Sequence, residues 1–241
     1  MNRIFEEQFK LYSFDERSGN VSLSKIFNIL CETAYKHSKR DNNEYFDDMF
    51  WIVYRWDIKL IRKLKSNSSV KVRTEITGVR KFFALRDFTV YNENNEVCIK
   101  AKSEWILLSK LKRSPSRIPN SYLNFYNIGQ VKSHISDFKV DDNLEFNNSY
   151  KRRIGPLDID LNNHVNNVVY VELMLNSLEP NMNVEEMSII YKKESFYGQV
   201  LNVKRSDIIK EDGKDTILFL IEDEGKNLKT IGRVLLGDNH E

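Results

Sequence analysis

The sequence predicts an α+β protein built from two halves of the same design. Three observations carry that expectation. Each half shows an extended stretch, a turn, a helix-periodic segment and then a run of strands. Asp15 and Asp158 open equivalent turns 143 residues apart, so an internal duplication accounts for the repeat. Gly (9) and Pro (4) are scarce while Phe (14) and Tyr (11) are plentiful, which favours long strands and helices over loops.

The first half opens on the extended "EEQFKLYSFD" and the turn "ERSGN". From Ser22 to Ser38 the residues Leu23, Ile26, Phe27, Leu30, Ala34 and Tyr35 recur at helical spacing. Ser22 is the available N-cap. Four strands follow, "MFWIVYRWDIKLI", "VKVRTEITGV", "FFALRDFTVY" and "EVCIKAKSEWILL", rich in β-branched and aromatic residues. "KSNSS" separates the first two, and "NENN" is the hairpin turn between the last two. Residues 121–148 are turn-rich and weakly periodic, which predicts a connection with little structure of its own.

The pattern then restarts. "SYKRRIGPLD" is extended, and Val165, Val168, Val169, Leu173 and Leu178 predict a helix over residues 165–178. The strands "EMSIIYKKES", "QVLNVKRSDII", "DTILFLIED" and "KTIGRVLLG" complete the half, with "EDGK" and "DEGKN" as hairpin turns. One long helix across an antiparallel sheet in each half is the arrangement that results. The expected boundaries are 1–120 for the first domain, 121–148 for the linker and 149–241 for the second domain.

The whole-chain balance narrows the function. A net charge of +2, from 37 basic and 35 acidic residues, contains no block that argues for nucleic acid. No run approaches the roughly 18 apolar residues of a membrane span. "MNRIFEEQFKLYSF" lacks an apolar core segment and carries Glu6 and Glu7, which reads against a signal or transit peptide. Cys31 and Cys98 have neither metal nor redox spacing. They predict reduced, packed thiols in a cytoplasmic protein. No metal or other cofactor is expected.

The chemistry concentrates in "DIDLNNHVNNVVYVEL", residues 158–173. Asn and Asp are preferred caps because their side chains satisfy orphan backbone N–H groups, but a cap needs only one or two of them. The equivalent stretch of the first half, "ERSGNVSLS", starts a helix with no His and no Asp-x-Asn spacing. Asp160, Asn162 and His164 alternate, so in an extended segment all three side chains share one side. Backbone N–H groups at the helix start, Val165 and Asn166, then lie where a developing oxyanion would sit. A carboxylate, an amide and an imidazole beside such donors suit hydrolysis without a serine elbow.

The segment Asp160-x-Asn162-x-His164-Val165-Asn166-Asn167, with Tyr170 three residues later, resembles the acyl-acyl-carrier-protein thioesterases of bacteria and plants. "MFWIVYRWDIKLIRK", "LRDFTVY" and "SEWILLSKLKRSPSRIP" in the first half look like further family stretches. The resemblance covers nearly the whole chain. It implies a tandem hot-dog fold, each half a long helix wrapped by a curved sheet. It implies hydrolysis of fatty acyl thioesters on acyl carrier protein, with the acyl-chain pocket in the first domain. In "IIYKKES" it maps Glu194 onto the family's acidic position. Ser195 stands where plant members carry a cysteine, so no Cys–His nucleophile can act there, and Ser195 is left a minor role. The implied catalytic set is Asp160, Asn162, His164 and Glu194, with either carboxylate as the base that activates water.

Alternatives from the same residues are an acyl-CoA thioesterase of this fold and a non-catalytic acyl-ligand sensor. No helix-turn-helix segment is spare for a sensor, and no G-x-S-x-G supports an α/β-hydrolase. The basic runs "KLIRKLK" and "KLKRSPSR" could meet an acidic carrier protein, or simply face solvent. His37, His134 and His240 have no ligand spacing and are expected on the surface or in packing. The chain is expected as a monomer or homodimer.

Overall fold

A computed structural model of the protein describes residues 3–17, 19–40, 49–112, 114–132, 135, 138, 140–141 and 143–237. The chain divides into two compact units, Met1–Ser136 and Asp137–Glu241.

The first unit begins with β1 (Ile4–Lys10), a 3-10 turn at Ser13–Asp15, and the short hairpin of β2 (Glu16–Arg17) and β3 (Asn20–Val21). Then come α1 (Leu23–Arg40), β4 (Met49–Leu60), β5 (Ser69–Arg80), β6 (Phe83–Tyr91), β7 (Val97–Ser109) and α2 (Asn120–Tyr126). The main strands pair antiparallel in the order β1-β5-β6-β7-β4. Along β5, Val70, Val72, Thr74 and Ile76 are buried and alternate with more exposed residues. That is the period of a strand with one face on a core.

Against this face α1 buries Leu23, Ile26, Phe27, Leu30 and Ala34, each worth roughly 1.5–3 kcal/mol for the larger side chains. Tyr35, expected on the same stripe, is exposed, while Thr33 and His37 are buried. Thr33 is accommodated because its hydroxyl donates to the Ile29 carbonyl one turn back. His37 is a packing residue: its ring stacks on Phe5, and its Nδ1 accepts from Arg86 at 2.7 Å. His134 and His240 lie outside the described residues.

The stretch expected as an irregular connection begins instead with a docked helix. Tyr122 and Tyr126 of α2, four residues apart and so on one face, pack against Ile76, Val79, Ala84 and Leu107. Asn127 ends the helix in the left-handed conformation (φ 50°). The chain then runs beside Val79, exchanging bonds through Gly129 and Val131. A Cβ on Gly78 would lie 2.8 Å from Val131, so the glycine is what admits this crossing. One pair of tyrosines sharing a face within seven residues is too short a pattern to announce such a helix.

The second unit contains β8 (Asn148–Arg153), a 3-10 turn at Pro156–Asp158, α3 (Asn167–Leu175), β9 (Val184–Tyr191), β10 (Val200–Arg205), β11 (Ile209–Glu211), β12 (Lys214–Asp223) and β13 (Leu228–Leu236). Its main order is β8-β10-β12-β13-β9, again antiparallel, with β11 beside β12. Strand for strand this repeats the first unit. The "EDGK" turn places Asp212 (φ 50°) and Gly213 (φ 80°) both left-handed, the requirement of a two-residue hairpin.

The helix of this unit is shorter than the expected 165–178. Val165 forms a β-bridge with Ile159 instead of entering the helix. Asn166 caps it, its side chain accepting from the Val168 N–H at 3.0 Å. At the other end, Ser177 Oγ donates to the Met174 carbonyl. Six of the nine residues of α3 are buried, so this is an interior helix rather than a one-faced one. Among the described residues no helix is long and apolar enough to cross a membrane.

Candidate active site

Asp158 anchors the segment that carries the polar cluster. It is buried, accepts from the Gly155 N–H at 2.8 Å and pairs with Arg152 at 2.6 Å. Its carbonyl takes the Asn166 N–H at 2.8 Å, so the residues between form a closed loop. Within that loop Asp160 is the organiser. Its Oδ1 accepts from the backbone N–H groups of Asn162 (2.8 Å) and His164 (3.2 Å), and its N–H donates to the His164 carbonyl (2.8 Å). Asn163 turns the chain at φ 64°, a conformation Asn tolerates better than most residues.

The segment is therefore a tight turn and not the extended run that a period of two requires. The three side chains do not line up by alternation. Asn162 is exposed, and its amide reaches back to Asp160 Oδ2 at 3.4 Å. The Asp160 carboxylate forms no hydrogen bond or ion pair with the His164 ring or with Glu194 among the described residues. Its competition with local backbone is the ordinary behaviour of Asp in turns.

His164 and Glu194 do come together. Nε2 of His164 lies 3.3 Å from Oε2 of Glu194, with side-chain exposures of 30% and 48%. Glu194 arrives on the loop after β9, which is tied to the histidine turn because the Ser195 carbonyl accepts the Val165 N–H at 2.9 Å. Phe196 packs edge-on against the imidazole with centroids 5.3 Å apart. Ser195 is 1% exposed, with its hydroxyl buried beside that of Tyr170. It does not point at reagents in solvent. The hydroxyl of Tyr170 is likewise buried. Burial, together with its neighbour Glu194, pushes it up to about 12 against the pull of Ser195.

The oxyanion donors expected at Val165 and Asn166 are not available. Both N–H groups are already donated, to Ser195 and Asp158, because the loop uses them to close on itself. No group of three or more His, Cys, Asp or Glu among the described residues could hold a metal.

The first unit contains the same frame without the chemistry. Tyr12 N–H to Asp15 Oδ2 (2.9 Å) matches Gly155 to Asp158 (2.8 Å). Ser22 N–H to the Asp15 carbonyl (2.8 Å) matches Asn166 to Asp158, and Val21 to Leu64 (3.1 Å) matches Val165 to Ser195. Leu11 to Ser68 (2.8 Å) matches Ile154 to Gln199 (2.8 Å). The N–H groups of Ile61 and Arg62 both reach the Cys98 carbonyl, as those of Lys192 and Lys193 both reach Lys229. By these bonds His164 corresponds to Asn20, Glu194 to Lys63, Ser195 to Leu64 and Lys229 to Cys98. The fold is satisfied by either set, so the histidine and the glutamate are not there to make the loops close.

Asn162, His164 and Glu194 thus offer an exposed amide, an imidazole and a carboxylate at the surface of one unit, on loops fixed by backbone bonds. Such a set can activate a water and hold a polar carbonyl. Sequence reasoning missed Lys229, whose Nζ donates to the Glu194 carbonyl at 3.1 Å. A single lysine inside "LKTIGRVLL" was its only trace.

The chain matches the Acyl-ACP thioesterase N-terminal domain over residues 2–126 and the C-terminal domain over residues 140–233. A chloroplastic palmitoyl-acyl carrier protein thioesterase of Gossypium hirsutum is 27% identical over 221 residues, covering 82% of this chain and 54% of that protein. One from Cuphea hookeriana is 25% identical over 203 residues, covering 73% and 47%. The chain spans about half the length of the curated relatives it matches. Among solved structures, an acyl-ACP thioesterase of Bacteroides thetaiotaomicron superposes with a TM-score of 0.85 at 20% identity, over 98% of each chain. The 12:0-ACP thioesterase of Umbellularia californica gives 0.80 at 18%, over 98% of this chain and 94% of that one. At these identities the superpositions speak to fold, and the fold is the tandem hot-dog. With both of its domains matched in order, the chain belongs to the acyl-ACP thioesterase family.

Proposed function

We propose that this chain hydrolyses fatty acyl thioesters carried on acyl carrier protein, releasing the free fatty acid. The observation that carries the reading is the 3.3 Å His164–Glu194 pair, set on a frame that the first unit repeats with Asn20 and Lys63. Asp160 is spent on its own turn, so the base is the Glu194–His164 pair. The pair takes a proton from water as the water oxygen bonds to the thioester carbonyl carbon. The tetrahedral intermediate then collapses, the carbon–sulfur bond breaks, and the proton goes to the departing sulfur. With the Val165 and Asn166 N–H groups already donated within the loop, the exposed Asn162 amide is the donor for the developing oxyanion.

The acyl chain is assigned to the first unit, whose strands carry Trp51, Trp56 and Trp105. Exposed Arg62, Lys63 and Lys65 are suited to an acidic carrier protein. The two free thiols support a reducing, cytoplasmic setting.

The test is hydrolysis of a panel of acyl-carrier-protein and acyl-CoA thioesters from C4 to C18. His164→Ala and Glu194→Gln are expected to stay folded and lose about 10²–10⁴-fold in kcat. Ser195→Ala is expected to lose little. Full activity in both of the first two variants would remove the assignment. Hydrolysis of the CoA esters alone would move the substrate to acyl-CoA. Tight binding without hydrolysis would favour a sensor.

A further inference from the structure

Behind the His164–Glu194 pair lies an ion pair that the proposed mechanism leaves unused. Lys229 of β13 is 5% exposed. Its ammonium group donates to the Glu194 carbonyl at 3.1 Å and pairs with Asp223 Oδ2 at 3.1 Å. Asp223 is itself fixed. Its carboxylate accepts the Asn227 N–H at 2.9 Å and the Asn227 amide at 3.0 Å, in the hairpin that joins β12 to β13. Those bonds, the Asn227 N–H first, hold its carboxyl down at about 2, so it is an anion throughout the neutral range. Chain connectivity adds a second tie, since the Lys229 carbonyl accepts the N–H groups of both Lys192 and Lys193 at 2.8 and 3.2 Å.

Burying an ammonium is costly unless it is paired and hydrogen-bonded. The first unit shows that the frame does not need one. There the two equivalent N–H groups, of Ile61 and Arg62, close on the carbonyl of Cys98, a wholly buried residue with no such donor. The unit that lacks the histidine and the glutamate also lacks the lysine. What Lys229 adds is a hold on the peptide of the residue that carries the candidate carboxylate.

We infer that Lys229, anchored by Asp223, is a positioning residue: it fixes the Glu194 main chain and thereby the reach of its carboxylate to His164. The role rests on the thioesterase reading above. A side chain half exposed on a loop has many rotamers, and fixing its backbone narrows where the carboxylate can go. A displacement of about 1 Å at a reacting group can cost roughly 10²-fold in rate.

The experiment measures kcat and KM of the full chain on an acyl-carrier-protein ester for Lys229→Met, Lys229→Arg and Asp223→Asn, with thermal unfolding of each. Lys229→Met is expected to lower kcat by about 10- to 100-fold with KM within about twofold. Lys229→Arg, which keeps a donor and a cation, is expected to recover most of that loss. Asp223→Asn leaves the lysine without its counter-ion and is expected to give an intermediate loss. It decides the matter should Lys229→Met fail to fold. Unchanged kcat in a folded Lys229→Met or in Asp223→Asn would overturn the role. So would a loss confined to KM, or one that arginine does not recover. An active wild type with active variants would sink this role alone. A wild type that hydrolyses no acyl thioester would sink the thioesterase reading and this role with it.

Discussion

Asp160 shows how a residue legible as functional can be claimed by its own backbone. Its carboxylate holds two N–H groups of the turn, so it shapes the platform on which His164 stands rather than meeting the imidazole. Tyr170 shows the converse. It entered as one letter of a motif, and the structure makes it a buried phenol, 2% exposed. Burial favours the neutral form, which pushes its ionisation from 10.0 to about 12. The consequence for stability follows in sign. Below pH 10 the phenol is neutral in both states, and nothing is lost. Between about 10 and 12 the unfolded chain ionises first, so folding stability falls as pH rises. That displacement corresponds to on the order of 2–3 kcal/mol. Tyr170→Phe is expected to be the less alkali-sensitive protein, losing less stability than wild type between pH 9.5 and 12 in urea titrations. Tyr150, also held at about 12, keeps its own share of the decline in both proteins. Parallel losses in the two would refute the assignment to Tyr170.

The elements divide by how much of their pattern is local. Strand periodicity was readable because alternation persists over nine to thirteen residues in β4–β7, and turn residues such as Asp212–Gly213 mark the breaks. Of the helices, α1 was readable in place and nearly in length, α2 not at all, and α3 in place but not in length. The apolar residues run on from Val165 to Leu178, while the helix proper is Asn167–Leu175. Its limits are set by the bridge to Ile159 and the Asn166 cap, neither of which hydrophobic spacing reports. What fixes α3 against its sheet is tertiary and equally silent in the sequence. Met174, wholly buried, sits over Gly232 of β13, where a Cβ would lie 2.2 Å from its sulfur and 3.0 Å from its terminal carbon. Gly232→Ala is therefore expected to cost about 1–3 kcal/mol through overpacking. Met174→Ala in the same chain should return part of it, which a double-mutant cycle by urea denaturation would read. Additive losses would show that helix and strand do not meet at this point.

At the scale of the molecule, duplication was legible from Asp15 and Asp158, but the matching of the two sites was not. Seven residues separate Asp15 from Ser22 and eight separate Asp158 from Asn166. No constant offset therefore aligns both ends of the loop, and only the shared backbone bonds show that Asn20 stands for His164 and Lys63 for Glu194. Those bonds also explain why both copies persist. Each unit needs the same five closures to hold its helix and loops in place: four join backbone groups, one lands on an aspartate that both units keep, and none uses the side chain of His164 or Glu194 or of their counterparts. One copy can then carry the reacting groups while the other is free to drift. The expected outcome is a strict asymmetry between mirrored substitutions. Asn20→Ala and Lys63→Ala are expected to leave kcat on a carrier-bound acyl ester within about twofold of wild type, even where Lys63→Ala raises KM through carrier docking. His164→Ala and Glu194→Ala, at the same places in the repeated frame, are expected to lose about 10²–10⁴-fold. Comparable unfolding midpoints across the four variants would show that each frame survives its substitution. A kcat loss from the first-unit pair as large as that from the second would mean that the chemistry is shared between the copies, and the division of labour proposed here would fall.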